Sequence, residues 1–252
     1  MKKAIRIVRR PQVVVPLYIY PAPGSWEPLL QAVRDNPNVS FIAIINPHNG
    51  PGAGPLPDAN YRIALSQLSV FPNLQRLGYV HCTYGERNIA DIQHDIQIYL
   101  AWNPQLRLDG IFFDETPSAK DAVGLMRDIS NFTRSSWKIA TGHSAFIIHN
   151  PGVAVCREFY QDADLVVTFE QSADHWESHF LQHGVTERPI YFRAKDVAIV
   201  HSCGNDVRGL ALQVMELGFG GLYLTEQVGG GYNRWPDSWT TVLGILKRIR
   251  DT

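Results

Sequence analysis

The chain has 252 residues, of which 45% are hydrophobic and 19% are charged, so it can bury one large core and has the usual size of a single α/β barrel. Its formal net charge of −1 excludes the basic face with which proteins neutralise nucleic acid phosphates. The three cysteines (Cys82, Cys156 and Cys203) are far apart and form no CxxC pair, which excludes a disulfide framework and a structural zinc site of the usual spacing.

Residues 1–12 are predicted to form a basic extension in front of a barrel domain at 13–252. Arginines interrupt the apolar residues Ile5, Ile7 and Val8, so the segment lacks the apolar core of a secretory signal. No apolar run reaches the ~18 residues that span a bilayer. The sequence as written therefore predicts a cytoplasmic monomer without a membrane span.

In chain order, short apolar runs alternate with stretches of helical periodicity, which is typical of βα units around a parallel sheet. The first four runs cover residues 13–19, 41–45, 77–81 and 108–114. The helices that follow them are predicted to begin near Ser25, Asp58, Asn88 and Ser118. A Gly/Pro-rich loop, residues 46–57, separates the second run from its helix.

The second half of the chain continues the alternation. The predicted strands cover residues 137–141, 164–170, 197–201 and 221–225, and 190–192 is a weaker candidate for the seventh. The matching helices are predicted at 153–160, 174–181, 205–217 and 237–250. Eight strand–helix pairs are the number that closes a (β/α)8 TIM barrel. An open doubly wound sheet is the alternative, but the glycine-rich phosphate turn expected after its first strand is missing.

Polar side chains follow the predicted strands at the end where barrels of this kind carry their active sites. The predicted substrate-binding residues there are Tyr18, Asn46, His48, His81, His143, His201, Tyr223 and Glu226. Aromatic rings can stack on the C–H face of a sugar, and forked polar groups can bind its hydroxyls. The ligand predicted from this composition is an oligo- or polysaccharide.

Three carboxylates are the candidate catalytic groups. The fourth predicted strand ends in Asp114 and Glu115, and the sixth ends in Glu170. Neighbouring strand residues face opposite ways, so Glu115 is expected to leave the strand and turn over the mouth. Two strand intervals of ~4.8 Å separate Asp114 from Glu170, which is within the reach of both retaining and inverting glycosidases. Helix capping or an arginine partner is the structural alternative for the Asp-Glu pair.

Four segments resemble the spherulin-4 (spherulation-specific family 4) proteins: residues 15–21, 45–52, 78–81 and 109–115. The resemblance implies a (β/α)8 glycoside hydrolase, and the family includes fungal enzymes that cut α-1,4-linked N-acetylgalactosamine in galactosaminogalactan. It also implies that Asp114 and Glu115 match the family's acidic pair and that Glu170 matches its later glutamate. Secretion, as in characterised relatives, is the alternative location.

The sequence is also compatible with two other functions. A metal-dependent barrel hydrolase is one, because His48, His81, His143 and His201 lie near predicted strand ends, although neither an HxH pair on the first strand nor an HExxH helix occurs. A non-catalytic carbohydrate-binding barrel is the other. We expect catalysis by carboxylates alone, with no cofactor and no metal: Asp114 as nucleophile or electrostatic stabiliser, Glu170 as general acid/base, and Glu115 as a positioning group that could exchange roles with Asp114.

Overall fold

The computed structural model describes residues 10–102 and 104–248, so most of the predicted basic extension lies outside it. Eight parallel strands form a closed barrel in which each strand pairs with the next one along the chain and β1 pairs with β8. The strands are β1 Gln12–Leu17, β2 Phe41–Ile45, β3 Leu74–His81, β4 Gly110–Asp114, β5 Phe146–His149, β6 Leu165–Ser172, β7 Asp196–His201 and β8 Gly221–Leu224. The predicted TIM barrel is confirmed.

Helices cover the outside of the barrel. They are α1 Glu27–Asp35, α2 Ala59–Leu68, α3 Ile89–Ala101, α4 Val123–Thr141, α5 Ala173–His175, α6 Val185–Glu187, α7 Val207–Glu216 and α8 Trp239–Lys247. A π-helical stretch, Trp176–Gly184, joins α5 to α6. Within the described residues, no helix is both long enough and apolar enough to cross a membrane.

The strands are continuous apolar runs because they are buried on both faces, by the barrel interior and by the helices. All five residues of β2 are buried, for example. Close packing also fixes where β4 begins: a Cβ on Gly110 would lie 1.8 Å from the carbonyl oxygen of Phe146 on β5. Only glycine allows this approach, so the Asp109-Gly110 sequence marks the start of the strand that carries the acidic pair.

The predicted fifth strand was wrong. Residues 137–141 form the last turn of α4, which ends at Gly142 in the left-handed conformation with φ 78°. Trp137 faces the core from this helix while Ile139 is 87% exposed, which produces an alternation that imitates a strand. The actual β5 is only four residues long, and a short strand gives a weak pattern.

Two smaller differences follow in the same region. In place of the helix predicted at 153–160, the chain forms a 3-10 helix, Arg157–Gln161. The helix predicted at 174–181 is the start of a longer helical segment that includes the π-helical stretch. The preferred seventh strand is confirmed as β7, because the rival residues 190–192 belong to a 3-10 helix, Ile190–Lys195.

Candidate active site

Backbone strain is concentrated at one end of the barrel. Six non-glycine residues have a positive φ in the described part of the chain, and each follows the C-terminal end of a strand: Asn49, Thr83, Tyr84, Glu115, Ser202 and Tyr232. Each such residue costs about 1–3 kcal/mol, so the conformation persists only where the surrounding structure holds it. Strain of this kind gathers at functional sites, which points to the same mouth as the polar side chains.

One amide group joins two of the predicted carboxylates. The Nδ2 of Asn150, which follows β5, donates to Asp114 Oδ1 and to Glu170 Oε2, both at 2.6 Å. The Oδ1 of Asn150 accepts the N–H of Gly152 at 3.0 Å, which fixes the orientation of the amide and points its two hydrogens at the acids. Asp114 and Glu170 therefore face each other across β5.

Each carboxylate has a second donor, in both cases a buried tyrosine. The hydroxyl of Tyr79 on β3 donates to Asp114 Oδ2 at 2.7 Å. The hydroxyl of Tyr232, in the glycine-rich loop after β8, donates to Glu170 Oε1 at 2.8 Å. The two acids are thus held from both sides, by Asn150 between them and by a phenol at each outer edge.

Burial raises the pKa of both acids above the ordinary values. For Glu170 the negative charge of Asp114 raises the pKa further, while the hydrogen bonds from Asn150 and Tyr232 lower it. For Asp114 the opposing influences are the hydrogen bonds from Tyr79, the backbone of Glu115 and Asn150, which favour its charged form. Neighbouring acids whose surroundings differ in this way can divide the roles of proton donor and ionised nucleophile.

Glu115 turns over the mouth as the sequence predicts. β4 ends at Asp114, and Glu115 has φ 50°, which takes it out of the strand and lets both acids face one cavity. That cavity, of about 430 Å³, is lined by Tyr84, Asp114, Glu115, residues 150–153, Glu170 and Gln171. All three predicted catalytic residues therefore line one open cleft.

Two of the predicted substrate-binding aromatic residues contact tyrosines that themselves donate hydrogen bonds to the acids. Tyr18 is half-buried and makes edge contacts with the rings of Tyr79 and Tyr232, at centroid distances of 5.7 and 6.0 Å. Tyr223 is buried and contacts Tyr232 at 6.0 Å. These rings pack behind the acids and support the phenols that contact them.

Three predicted binding residues lie together on the β2–β3 side of the mouth. His48 is exposed, and His81 is half-buried with its Nδ1 3.2 Å from the carbonyl oxygen of Asn49. The side chain of Asn46 accepts the N–H of Gly50 and so shapes the loop after β2. Of the three, the two histidines have side chains that remain available to a ligand.

On the other side of the mouth, His201 is half-buried with its Nδ1 2.9 Å from the hydroxyl of Ser202. The carboxylate of Glu226 accepts the backbone N–H groups of Asp237 and Ser238. Both oxygens of Glu226 therefore hold the loop before α8, so this carboxylate has a structural role here and not the predicted role in substrate binding.

His143 was wrongly placed at the mouth. It precedes β5 and lines a separate cavity at the opposite end of the barrel, with Arg107, Asp109 and Arg134. The misplaced fifth strand caused this error, because residue 143 would have followed a strand ending at residue 141. His143 therefore does not belong to the substrate-binding residues at the mouth.

The same error concealed Asn150, the residue that follows the true β5. A signal for it was present: the Asn-Pro pair at Asn150-Pro151 repeats the Asn46-Pro47 pair that follows β2. Tyr79 and Tyr232 stand out less in the sequence, since tyrosines near strand ends in a barrel are more often core residues. Their role depends on which atoms the loops bring together, and spacing alone does not show this.

The predicted histidines do not assemble with acids into a metal site. Within residues 10–102 and 104–248, no three His, Cys, Asp or Glu side chains are placed to hold one metal ion. His81 and His201 are the last residues of β3 and β7, on opposite sides of the barrel mouth. The metal-dependent alternative thus lacks a ligand set among these residues.

Comparison with known proteins gives a family match over nearly the whole chain. The model of spherulation-specific family 4 matches residues 12–246. Spherulin-4 of Physarum polycephalum is 26% identical over 225 residues, which are 87% of this chain but only 64% of the relative. The chain thus spans less than two thirds of that relative's length.

Solved structures agree with the fold. Sph3 of Aspergillus clavatus, in complex with GalNAc, is 30% identical, with a TM-score of 0.84 over 96% of this chain and 99% of that chain. The catalytic domain of a family GH18 chitinase from the fern Peteris ryukyuensis is 12% identical, with a TM-score of 0.57 over 93% of this chain and 98% of that one. At this lower identity the likeness concerns the barrel alone.

Proposed function

The chain belongs to spherulation-specific family 4, and on this premise we propose that it is a glycoside hydrolase in which Asp114 and Glu170 form the catalytic pair. The observation that carries the proposal is the clamp by Asn150, whose one amide nitrogen lies 2.6 Å from an oxygen of each acid. A binding protein needs aromatic rings and hydroxyl partners for a sugar, but not two close acids with raised pKa values.

In this mechanism Glu170 is the general acid. Burial and the charge of Asp114 raise its pKa, which favours the protonated form that gives a proton to the departing glycosidic oxygen. Asp114, whose hydrogen bonds favour the charged form against the effect of burial, attacks the anomeric carbon as the bond to that oxygen breaks. Glu170 then takes a proton from water, and the water oxygen displaces Asp114. Glu115, in the same cleft, positions the sugar.

The spacing of the acids favours retention of anomeric configuration. Since both oxygens lie 2.6 Å from one nitrogen, they are at most about 5.2 Å apart. Retaining glycosidases use separations of about 5–5.5 Å, whereas inverting enzymes need about 6.5–9.5 Å to admit a water molecule. The bound on these two oxygens lies on the retaining side of this division.

The substrate that we propose is a polymer of α-1,4-linked N-acetylgalactosamine or galactosamine. Support comes from Sph3, the relative at 30% identity whose structure holds GalNAc. His81, which pairs with Asp114 in the register of β3 and β4, and exposed His48 on the same side of the mouth offer hydrogen-bonding groups for such a sugar. Activity toward a polymer also suits an open cleft of about 430 Å³, since a closed pocket would admit only a chain end.

The proposal is tested by incubating purified protein with defined oligosaccharides, including amino-sugar oligomers. Mass spectrometry identifies the products, and proton NMR in the first minutes identifies their anomer. We expect shortened N-acetylgalactosamine oligomers whose new reducing ends keep the α configuration. A β product would refute the double displacement. Binding of the oligomers without any cleavage would support a carbohydrate-binding barrel instead.

A further inference from the structure

Tyr84 presents its ring to the cleft from an unusual turn. The side chain is 67% exposed, although it lines the same cavity as Asp114 and Glu115. Its backbone is left-handed (φ 53°, ψ 27°) and lies between Thr83 with φ 48° and Gly85 with φ 94°. A glycine would suit the Tyr84 position better, so the turn keeps an aromatic side chain where the backbone disfavours one.

The turn is tied to the acidic pair. The N–H of Tyr84 donates to the carbonyl oxygen of Glu115 at 2.6 Å, and the N–H of Cys82 donates to that of Asp114 at 2.8 Å. Arg87 also stabilises the turn. It donates a hydrogen bond to the carbonyl oxygen of His81 and forms a salt bridge with Asp95 at 2.7 Å. The backbone from which the Tyr84 ring projects is thus held in place relative to the acids.

The opposite wall of the cleft comes from the loop after β5. Val153, which is 52% exposed, lies in that loop and lines the cavity with Gln171. β3 and β5 flank β4 in the barrel, so Tyr84 and Val153 stand on either side of the strand that carries Asp114. A sugar chain that crosses the acids between these walls would meet the Tyr84 ring next to the site of cleavage.

We propose that the Tyr84 ring is the stacking platform of a second sugar subsite, which binds the pyranose next to the one held by the acids. This inference rests on the proposed function for the identity of the sugar. The apolar C–H face of a pyranose can stack on an exposed aromatic ring. A sugar bound in this way would cover the Tyr84 side chain, which otherwise remains in contact with water. The platform makes affinity depend on chain length.

The test measures binding by calorimetry in the Glu170→Gln background, so that no ligand is cleaved. The ligands are N-acetylgalactosamine and its α-1,4-linked tetramer. We expect Tyr84→Ala to weaken tetramer binding about three- to tenfold, the range for one aromatic contact, and to leave the monosaccharide unaffected. Tyr84→Phe, which keeps the ring, should bind the tetramer like the parent.

Two further variants control for backbone strain and for the loss of an exposed tyrosine elsewhere. Tyr84→Gly removes the ring and the backbone strain together, so it should weaken tetramer binding as much as Tyr84→Ala does even if the alanine variant is less stable. Tyr191→Ala removes a tyrosine that is 96% exposed on the 3-10 helix before β7, and it should change nothing.

The subsite would be overturned if Tyr84→Ala bound the tetramer as tightly as its parent does. It would also be overturned if Tyr84→Phe lost as much tetramer affinity as Tyr84→Ala, or if the tetramer did not bind at all. Cleavage by the unmodified protein is measured separately. If the tetramer binds through Tyr84 but is not cleaved, the subsite is supported and the hydrolase proposal is refuted. If the tetramer is cleaved but Tyr84→Ala does not change its binding, the hydrolase proposal is supported and the subsite is refuted.

Discussion

Glu170→Gln is expected to lower kcat on an amino-sugar oligomer by about 10²–10⁴-fold, the usual contribution of a general acid, while the oligomer still binds. Glutamine keeps one of the two acceptor oxygens, so it can accept the hydrogen bond of either Asn150 or Tyr232, but it cannot give a proton to the leaving oxygen. A substrate with an acidic phenol as leaving group needs no such proton. Its bond cleavage should therefore be much less affected, and burst kinetics with that substrate would check this.

Glu226→Gln is the matched control for this experiment. Glu226 also lies at the mouth, but its carboxylate holds the backbone of Asp237 and Ser238. We expect its kcat to stay within a few-fold of the unmodified enzyme, as expected for a residue that touches neither acid. An equal loss in both variants would mean that general disturbance of the mouth, rather than a missing proton, explains the effect of Glu170→Gln.

The second large effect concerns the pH dependence of kcat/KM. In the proposed mechanism, the acid limb of the profile reports ionisation of Asp114 and the basic limb reports deprotonation of Glu170. Hydrogen bonds from Asn150 lower the pKa of both acids. Removing this donor in Asn150→Ala should raise both apparent pKa values, so the whole profile moves to higher pH, and kcat should fall because the acids are no longer positioned.

Variants of Tyr232 and Tyr79 should shift the basic and the acid limb of the pH profile separately. Tyr232→Phe removes a donor from Glu170 only, so the basic limb should move to higher pH and the acid limb should stay. Tyr79→Phe removes a donor from Asp114 only, so the acid limb should move to higher pH. A lower kcat with unmoved limbs in all three variants would assign these residues a purely structural role.

The barrel could be predicted from the sequence because its buried strands leave a plain signal. Seven of the eight strands were placed correctly, since a strand buried on both faces reads as an unbroken apolar run. The fifth could not be placed, because β5 has only four residues and the apolar side chains of Trp137 and Ile139 in the last turn of α4 form a competing strand-like pattern.

The acids could be predicted for a related reason. An apolar run that ends abruptly in a carboxylate, as at Asp114 and Glu170, identifies a strand end at the mouth. What holds the acids could not be predicted. Tyr232 lies 62 residues after Glu170, and its contact depends on a glycine-rich loop with left-handed turns at Gly229 and Gly230. Such loop geometry leaves no periodic pattern in a sequence.

Turnover by Asp114→Asn, Glu170→Gln and the variant that carries both changes tests the paired acids most directly. Residues that act as one unit are not additive, so each single change should remove nearly all turnover of an N-acetylgalactosamine oligomer, and the double change should remove little more. Near-normal kcat in either single variant, or losses that multiply in the double variant, would contradict catalysis by Asp114 and Glu170 as a pair.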